Sequence, residues 1–334
     1  MKRLFTLCLL MLPLLTAMAQ GPNNSGTYYQ NADGKKGSAL KTALCGIIYD
    51  RTERSYGDLW TDFKKTDKRA DGKVWDMYSA TSNYTFGTDQ DKGNWQRSPD
   101  GKTPLEDLYY NREHSWPNSW FGGKVQPMYT DLHHMYPTDK LVNNKRANYP
   151  FGETKGESYE SHNSFSKLGK CTYSGYTGTV FEPNDEYKGD FARTYFYMVT
   201  CYEEKLADWY TSHSESRPTL DGKAYPGLSS WQLEMLMKWA KNDPVSEKEI
   251  NRNNAVYDIQ ENRNPFIDYP GLEEYIWGDK KNIAFSYDNY TSGVVTVPVK
   301  LRNSTDIYTI SGQRVRGALP KGIYIRGGKK FVVK

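Results

Sequence analysis

The stretch that most restricts what this chain can fold into lies between Asn111 and Arg146. Only five histidines occur in the sequence, and three of them, His114, His133 and His134, fall within 21 residues. They belong to two segments, NREHSWPNSWF (111–121) and TDLHHMYPTDKLVNNKRANYPFG (130–152). The second reads as a strand from Leu132 to Tyr136, a stop at Pro137-Thr138 with Thr138 as the cap, and a helix from Asp139 to about Arg146. The first reads as a strand or extended loop that carries Glu113 and His114 and ends at Pro117.

A strand, a loop, a second strand and a helix bearing an amide suit the hydrolysis of phosphodiesters with one hard metal ion. Such a reaction needs an activated water, neutralised non-bridging oxygens and help for the leaving oxygen. A neutral imidazole is a suitable base near pH 7, because its unperturbed pKa lies close by. A carboxylate and an amide carbonyl are hard oxygen donors of the kind Mg²⁺ prefers, and Mg²⁺ keeps waters and phosphate oxygens as its other ligands. Glu113 and Asn143 provide that pair, and His114 the base.

The rest of the chain reads as a support for this unit. At 334 residues it is long enough to bury a sizeable core, and with 27 Tyr and 9 Trp it is too aromatic for a disordered or collagen-like chain. SALKTALCGIIYDRT has apolar residues at helical spacing, and Thr61 to Asp67 reads as a second short helix. From Gly72 to Pro104 the chain reads as loops and turns. YFYMVTCYEEKLADWY and SSWQLEMLMKWAKNDP read as amphipathic helices closing the core, the latter stopped by Pro244. Asn251 to Pro270 reads as a polar stretch that leads to a last helix, GLEEYIWG. Tyr and Trp residues between Tyr109 and Trp120 are read as core, with base stacking as the alternative role.

The set REHSWPNSW, DLHHMYPTDKLVNNKRANYPFG, FEPNDEYKGDFARTYFYM and NNAVYDIQENRNPFIDYPGLEEYIWG resembles the endonuclease I family of secreted or periplasmic non-specific nucleases, over roughly Ser38 to Gly278. The resemblance implies an α+β fold with a ββα-metal (His-Me) finger embedded in a largely helical domain. It implies His114 as general base, Glu113 and Asn143 as divalent-metal ligands, and cleavage of DNA, RNA or both to 5′-phosphate ends. The expected cofactor is Mg²⁺ or another hard divalent cation such as Ca²⁺ or Mn²⁺. Some members carry an arginine in the loop between the finger strands that supports the transition state. Here that loop, GGKVQPMYT, has Lys124 as its one cation. Arg146 and Arg193, in segments that match the family closely, are the expected phosphate contacts, and the transition-state cation is unassigned.

Both ends carry their own signals. Residues 1–19 read as a secretory leader, with Lys2 and Arg3 before an apolar run and Ala17-Met18-Ala19 as the cleavage site. No later stretch reaches the roughly 20 apolar residues of a membrane span. The expected organisation is therefore leader 1–19, catalytic domain 20–286, linker 287–302 and a small C-terminal β module 303–334. Lys300 to Lys334 hold nine Lys/Arg against one Asp, while residues 20–299 hold 33 against 39 Asp/Glu. A mildly acidic body must hold a polyanion through a local basic patch or a metal ion, not a global field. The tail, with turn signals at Ser311-Gly312 and Gly327-Gly328, resembles the sorting domain of type IX secretion substrates. That resemblance implies the secretion machinery as a partner and an extracellular or cell-surface destination, with the periplasm in transit.

Other readings stay open on these residues. His114, His133, His134 and Asp131 form a zinc set if brought together, which would make a hydrolase of unknown substrate. An inactive relative would be a surface module binding glycan or nucleic acid. Outside the leader the cysteines are Cys45, Cys171 and Cys201, an odd set with no C-x-x-C. That set argues against thiolate zinc and a disulfide framework, with a single Cys171–Cys201 bridge left open.

Overall fold

The computed structural model describes residues 20–80, 83–86 and 109–290 and four strands of the C-terminal tail. Two units are separate, one ending at Tyr290 and one beginning at Thr291. In the first, α1 (Gly37–Ile48) buries Leu40, Leu44 and Ile48, a stripe at helical spacing, and α2 (Leu59–Thr66) buries Leu59 and Phe63. Strands β1 (Tyr110–His114) and β2 (Met135–Asp139) pair antiparallel, with Asn111 opposite Thr138 and Glu113 opposite Tyr136. Helix α3 (Lys140–Arg146) follows β2 directly. A three-stranded antiparallel sheet, β3 (Tyr159–Glu160), β4 (Lys167–Lys170) and β5 (Thr179–Glu182), comes next.

The remaining helices are α4 (Lys188–Cys201), α5 (Leu206–Ser212), α6 (Ser230–Asn242), α7 (Glu247–Gln260), α8 (Pro265–Asp268) and α9 (Leu272–Ile276). Thirteen of the 14 residues of α4 are buried, so it is the axis of the core, packed against α1, α6 and α8. Mixed helix and small sheets make this an α+β unit. No helix among the described residues is long and apolar enough to cross a membrane.

Several expectations are corrected. The second strand runs from Met135 to Asp139, three residues later than expected, because Asp131 to His134 form turns. Pro137 is tolerated there since a two-stranded sheet leaves one edge of β2 without a donor to supply. The cap of α3 is Asp139, whose carboxylate accepts the Val142 N–H at 2.9 Å, while Thr138 lies within the strand. The chain read as one amphipathic helix around Tyr195 is α4, buried on all sides, then α5, parted at Tyr202. The polar stretch from Asn251 is mostly helix, in α7 and α8. Cys45, Cys171 and Cys201 are all free, so the Cys171–Cys201 bridge is not formed.

Residues 72–80 and 83–86 carry no helix or strand, as expected, while the rest of that loop region lies outside the described residues. Tyr287 and Tyr290, placed by the sequence reading in the linker, pack on the first unit. The Tyr269 hydroxyl donates to the Tyr287 carbonyl at 2.9 Å, and the Tyr290 ring lies 5.0 Å from that of Tyr269. In the second unit β6 (Ile307–Thr309), β7 (Arg314–Val315), β8 (Gly322–Arg326) and β9 (Lys329–Val333) form one antiparallel sheet in the order β7-β6-β8-β9. Arg326 pairs with Lys329, so the two residues between them are the Gly327-Gly328 signal; Ser311-Gly312 lies outside the described residues.

Candidate active site

Residues two apart on a strand share a face, and residues three apart on a helix share a stripe. Asn111 and Glu113 of β1 meet Asn143 and Arg146 of α3 in this way. The Asn143 amide nitrogen donates to Asn111 Oδ1 at 2.7 Å, and Arg146 Nη1 donates to Glu113 Oε1 at 2.9 Å. With its nitrogen so engaged, Asn143 has its carbonyl oxygen left to accept. Glu113 Oε1 also accepts the Tyr78 hydroxyl at 2.9 Å, while no protein donor reaches Oε2 among the described residues. Glu113 is 3 % exposed, and burial raises its pKa above the usual carboxylate value against the opposing pull of Arg146 and the Tyr78 bond.

His114 ends β1. Its Nε2 lies 3.0 Å from the Tyr129 carbonyl, which can only accept, so Nε2 carries the proton and Nδ1 keeps its lone pair. The ring stacks on Tyr129 at 5.0 Å and on Tyr56 at 6.0 Å. Burial, then the neighbouring His134, lowers its pKa to about 3, so the imidazole is neutral at physiological pH.

Glu113 and Asn143 are two hard oxygen donors on adjacent rungs of one strand–helix contact. They fit a divalent ion that keeps most of its ligands as water and phosphate. The zinc set does not assemble. His133 Nε2 is held by the Asn262 carbonyl at 3.2 Å and His134 Nε2 by the Met128 carbonyl at 2.7 Å. Asp131 accepts from Arg51, from the Tyr197 and Tyr202 hydroxyls at 2.8 Å each and from Gln260 at 2.8 Å. Among the described residues no three His, Cys, Asp or Glu side chains stand together as a metal cage.

Residues 36–271 match the sequence profile of Endonuclease I. The chain belongs to the endonuclease I family. It is 38 % identical over 257 residues to an extracellular ribonuclease of Bacillus amyloliquefaciens, covering 75 % of this chain and 78 % of that one. It is 35 % identical over 269 residues to an extracellular ribonuclease of Bacillus subtilis (strain 168), covering 79 % and 82 %. An extracellular deoxyribonuclease of Aeromonas hydrophila is 27 % identical over 140 residues, covering 41 % of this chain and 49 % of that one.

In this endonuclease I chain neither arginine expected to touch phosphate is free to do so. Arg146 is 1 % exposed, and beyond Glu113 it donates to the His114 carbonyl at 2.9 Å and the Ser115 carbonyl at 2.6 Å. Its remaining Nε is buried. Arg193 is buried on α4, where it forks onto Glu249 and donates to the Asp243 carbonyl at 2.9 Å, tying α4 to the start of α7. Lys124 is exposed in the segment between β1 and β2. Trp116 and Trp120 are fully buried beside Tyr195, which assigns them to the core. The sequence reading missed Tyr78 and Tyr129, which hold Glu113 and His114 from segments without a recognisable pattern. It also passed over Asn111 and Arg112, which stand within the quoted motif.

Proposed function

We propose that this chain is a secreted, divalent-metal-dependent endonuclease that hydrolyses phosphodiester bonds without reading base sequence, with β1, β2 and α3 as its ββα-metal finger. The observation that carries the reading is the juxtaposition on one short unit of a base with a fixed tautomer and a pair of oxygen donors. The Tyr129 carbonyl fixes the proton of His114 on Nε2. Nδ1 then takes the proton of the attacking water. Glu113 and Asn143 would hold the ion, Mg²⁺ or another hard divalent cation such as Ca²⁺ or Mn²⁺. When bound, it neutralises charge on the phosphate and on the leaving oxygen. Arg146 is a positioning residue that aims Glu113 and opposes its protonation. Departure of the 3′ oxygen leaves 5′-phosphate products.

Both RNA and DNA are proposed substrates. The two ribonucleases cited match over most of their own length, and the deoxyribonuclease cited over less than half of its own. Their names, with the leader-like residues 1–19, support export. The tail from 303 to 334 would serve as the address read by the secretion machinery.

The test incubates protein starting at Gln20 with supercoiled plasmid and with structured RNA, in Mg²⁺ or EDTA, beside His114→Ala. Cleavage only with metal, slowed about 100-fold or more in the variant, is the expected outcome. No cleavage of either substrate with Mg²⁺, Ca²⁺ or Mn²⁺ would leave the family fold without its chemistry and put the binding-module reading first.

A further inference from the structure

Five buried arginines, Arg51, Arg146, Arg193, Arg252 and Arg263, each bind an Asp or Glu. Arg112, half-buried on β1, does not: among the described residues no carboxylate pairs with it. Its Nη1 donates to the Tyr56 carbonyl, and its Nε is buried with no partner among the described residues. The guanidinium lies 3.4 Å over the Tyr56 ring and 4.4 Å from that of Trp60. Aromatic faces hold a cation in place without neutralising it.

The position matters as much as the charge. Arg112 and His114 are two residues apart on β1 and so share a strand face. Both rest on Tyr56, which in turn stacks on Tyr129 at 4.6 Å, the residue whose carbonyl fixes the His114 tautomer. One aromatic stack therefore sets the place of the base and of a cation beside it. A half-desolvated arginine left without a counter-charge is a site for an anion, and its planar fork matches two phosphate oxygens.

We propose that Arg112 binds the substrate, its guanidinium taking a non-bridging oxygen of a phosphate on the strand that His114 attacks. This rests on the nuclease reading above. It supplies the cation that the segment between the two strands, with Lys124 alone, lacks.

Cleavage by wild type, Arg112→Gln and Arg112→Lys is measured on plasmid and RNA. Binding of a single-stranded RNA oligonucleotide in EDTA is followed by fluorescence anisotropy over a series of salt concentrations. Arg112→Gln should lower kcat/KM by about 100-fold. It should also flatten the slope of log Kd against log salt by about 0.7, one phosphate contact on a single strand. Arg112→Lys should keep the slope, since the charge remains, but not the cleavage rate, since the fork is gone. A merely structural arginine would change thermal stability and leave the salt slope alone, which would overturn the proposal.

If the variants do not fold, phenylglyoxal labelling of wild type, mapped by mass spectrometry, decides. The oligonucleotide should protect Arg112 but not Arg217, an exposed arginine that donates to the Tyr210 and Thr211 carbonyls and lies over the Tyr210 ring. Equal labelling of Arg112 with and without oligonucleotide would also overturn it. Wild type that cuts nothing would sink the nuclease reading instead, so the two failures are distinct.

Discussion

Burial pushes the Glu113 carboxyl above its ordinary value, and a charge beside it is needed to oppose that push. Arg146 supplies it, and the same guanidinium ties down the carbonyls of His114 and Ser115. Arg146→Met should therefore cost about 3–5 kcal/mol in urea unfolding, because it strands a buried charge. It should also raise the Mg²⁺ concentration for half-maximal cleavage about 10- to 100-fold. Arg146→Lys restores the charge without the fork and should recover part of each. A stability loss with an unchanged Mg²⁺ midpoint would reduce Arg146 to a packing role. That Glu113, His114 and Asn143 would fall in one local unit was legible in the sequence, because the segments that carry them read as a strand and a helix close together along the chain. Their supports, Tyr78 and Tyr129, were not, since a hydroxyl or a carbonyl arriving from another segment leaves no spacing to detect.

The element least visible in the sequence is α7, and the reason is that its buried face is polar. Arg252, Asn253 and Gln260 point inward, where an apolar stripe would have announced a helix. Arg252 forks onto Asp67 and donates to the Leu132 and Met135 carbonyls at 2.8 and 2.7 Å, bracing the turns that lead into β2. The signal available was Ser246-x-x-Glu249, a capping box in which Glu249 accepts the Ser246 N–H at 2.8 Å. By contrast α1 and α6, with apolar residues at regular spacing, were plain from the sequence. Two substitutions on one helix should then differ sharply in urea midpoint. Ser246→Ala removes a cap and should cost about 1 kcal/mol. Arg252→Ala leaves the buried Asp67 unpaired and should cost about 3–5 kcal/mol. Equal losses would mean that α7 contributes through its own helicity and not by bracing the site.

At the scale of the whole molecule, buried titratable groups of opposite sign set how stability follows pH. Burial lowers His133 to about 3 and His134 to about 4, both from an ordinary value of 6.5. His134 Nδ1 is buried with no partner among the described residues, so a second proton on that ring would meet no acceptor there. Below pH 6.5 the unfolded chain therefore takes up protons that the folded histidines refuse, and folding weakens as pH falls, by about 1.4 kcal/mol per unit for each ring. Glu273 works the other way. Burial raises it to about 7, so as pH falls from 7 towards the ordinary value of 4.5 the folded state gains protons first and is stabilised. Because these terms oppose each other, the wild-type curve alone does not isolate either, and the difference between wild type and His134→Gln does. Glutamine can still donate to the Met128 carbonyl but has no proton to refuse. Relative to wild type, its urea stability should rise by about 2 kcal/mol between pH 7.5 and 5.0. A difference that stays constant with pH would show that His134 is protonated in the folded protein, with its ring reached by water.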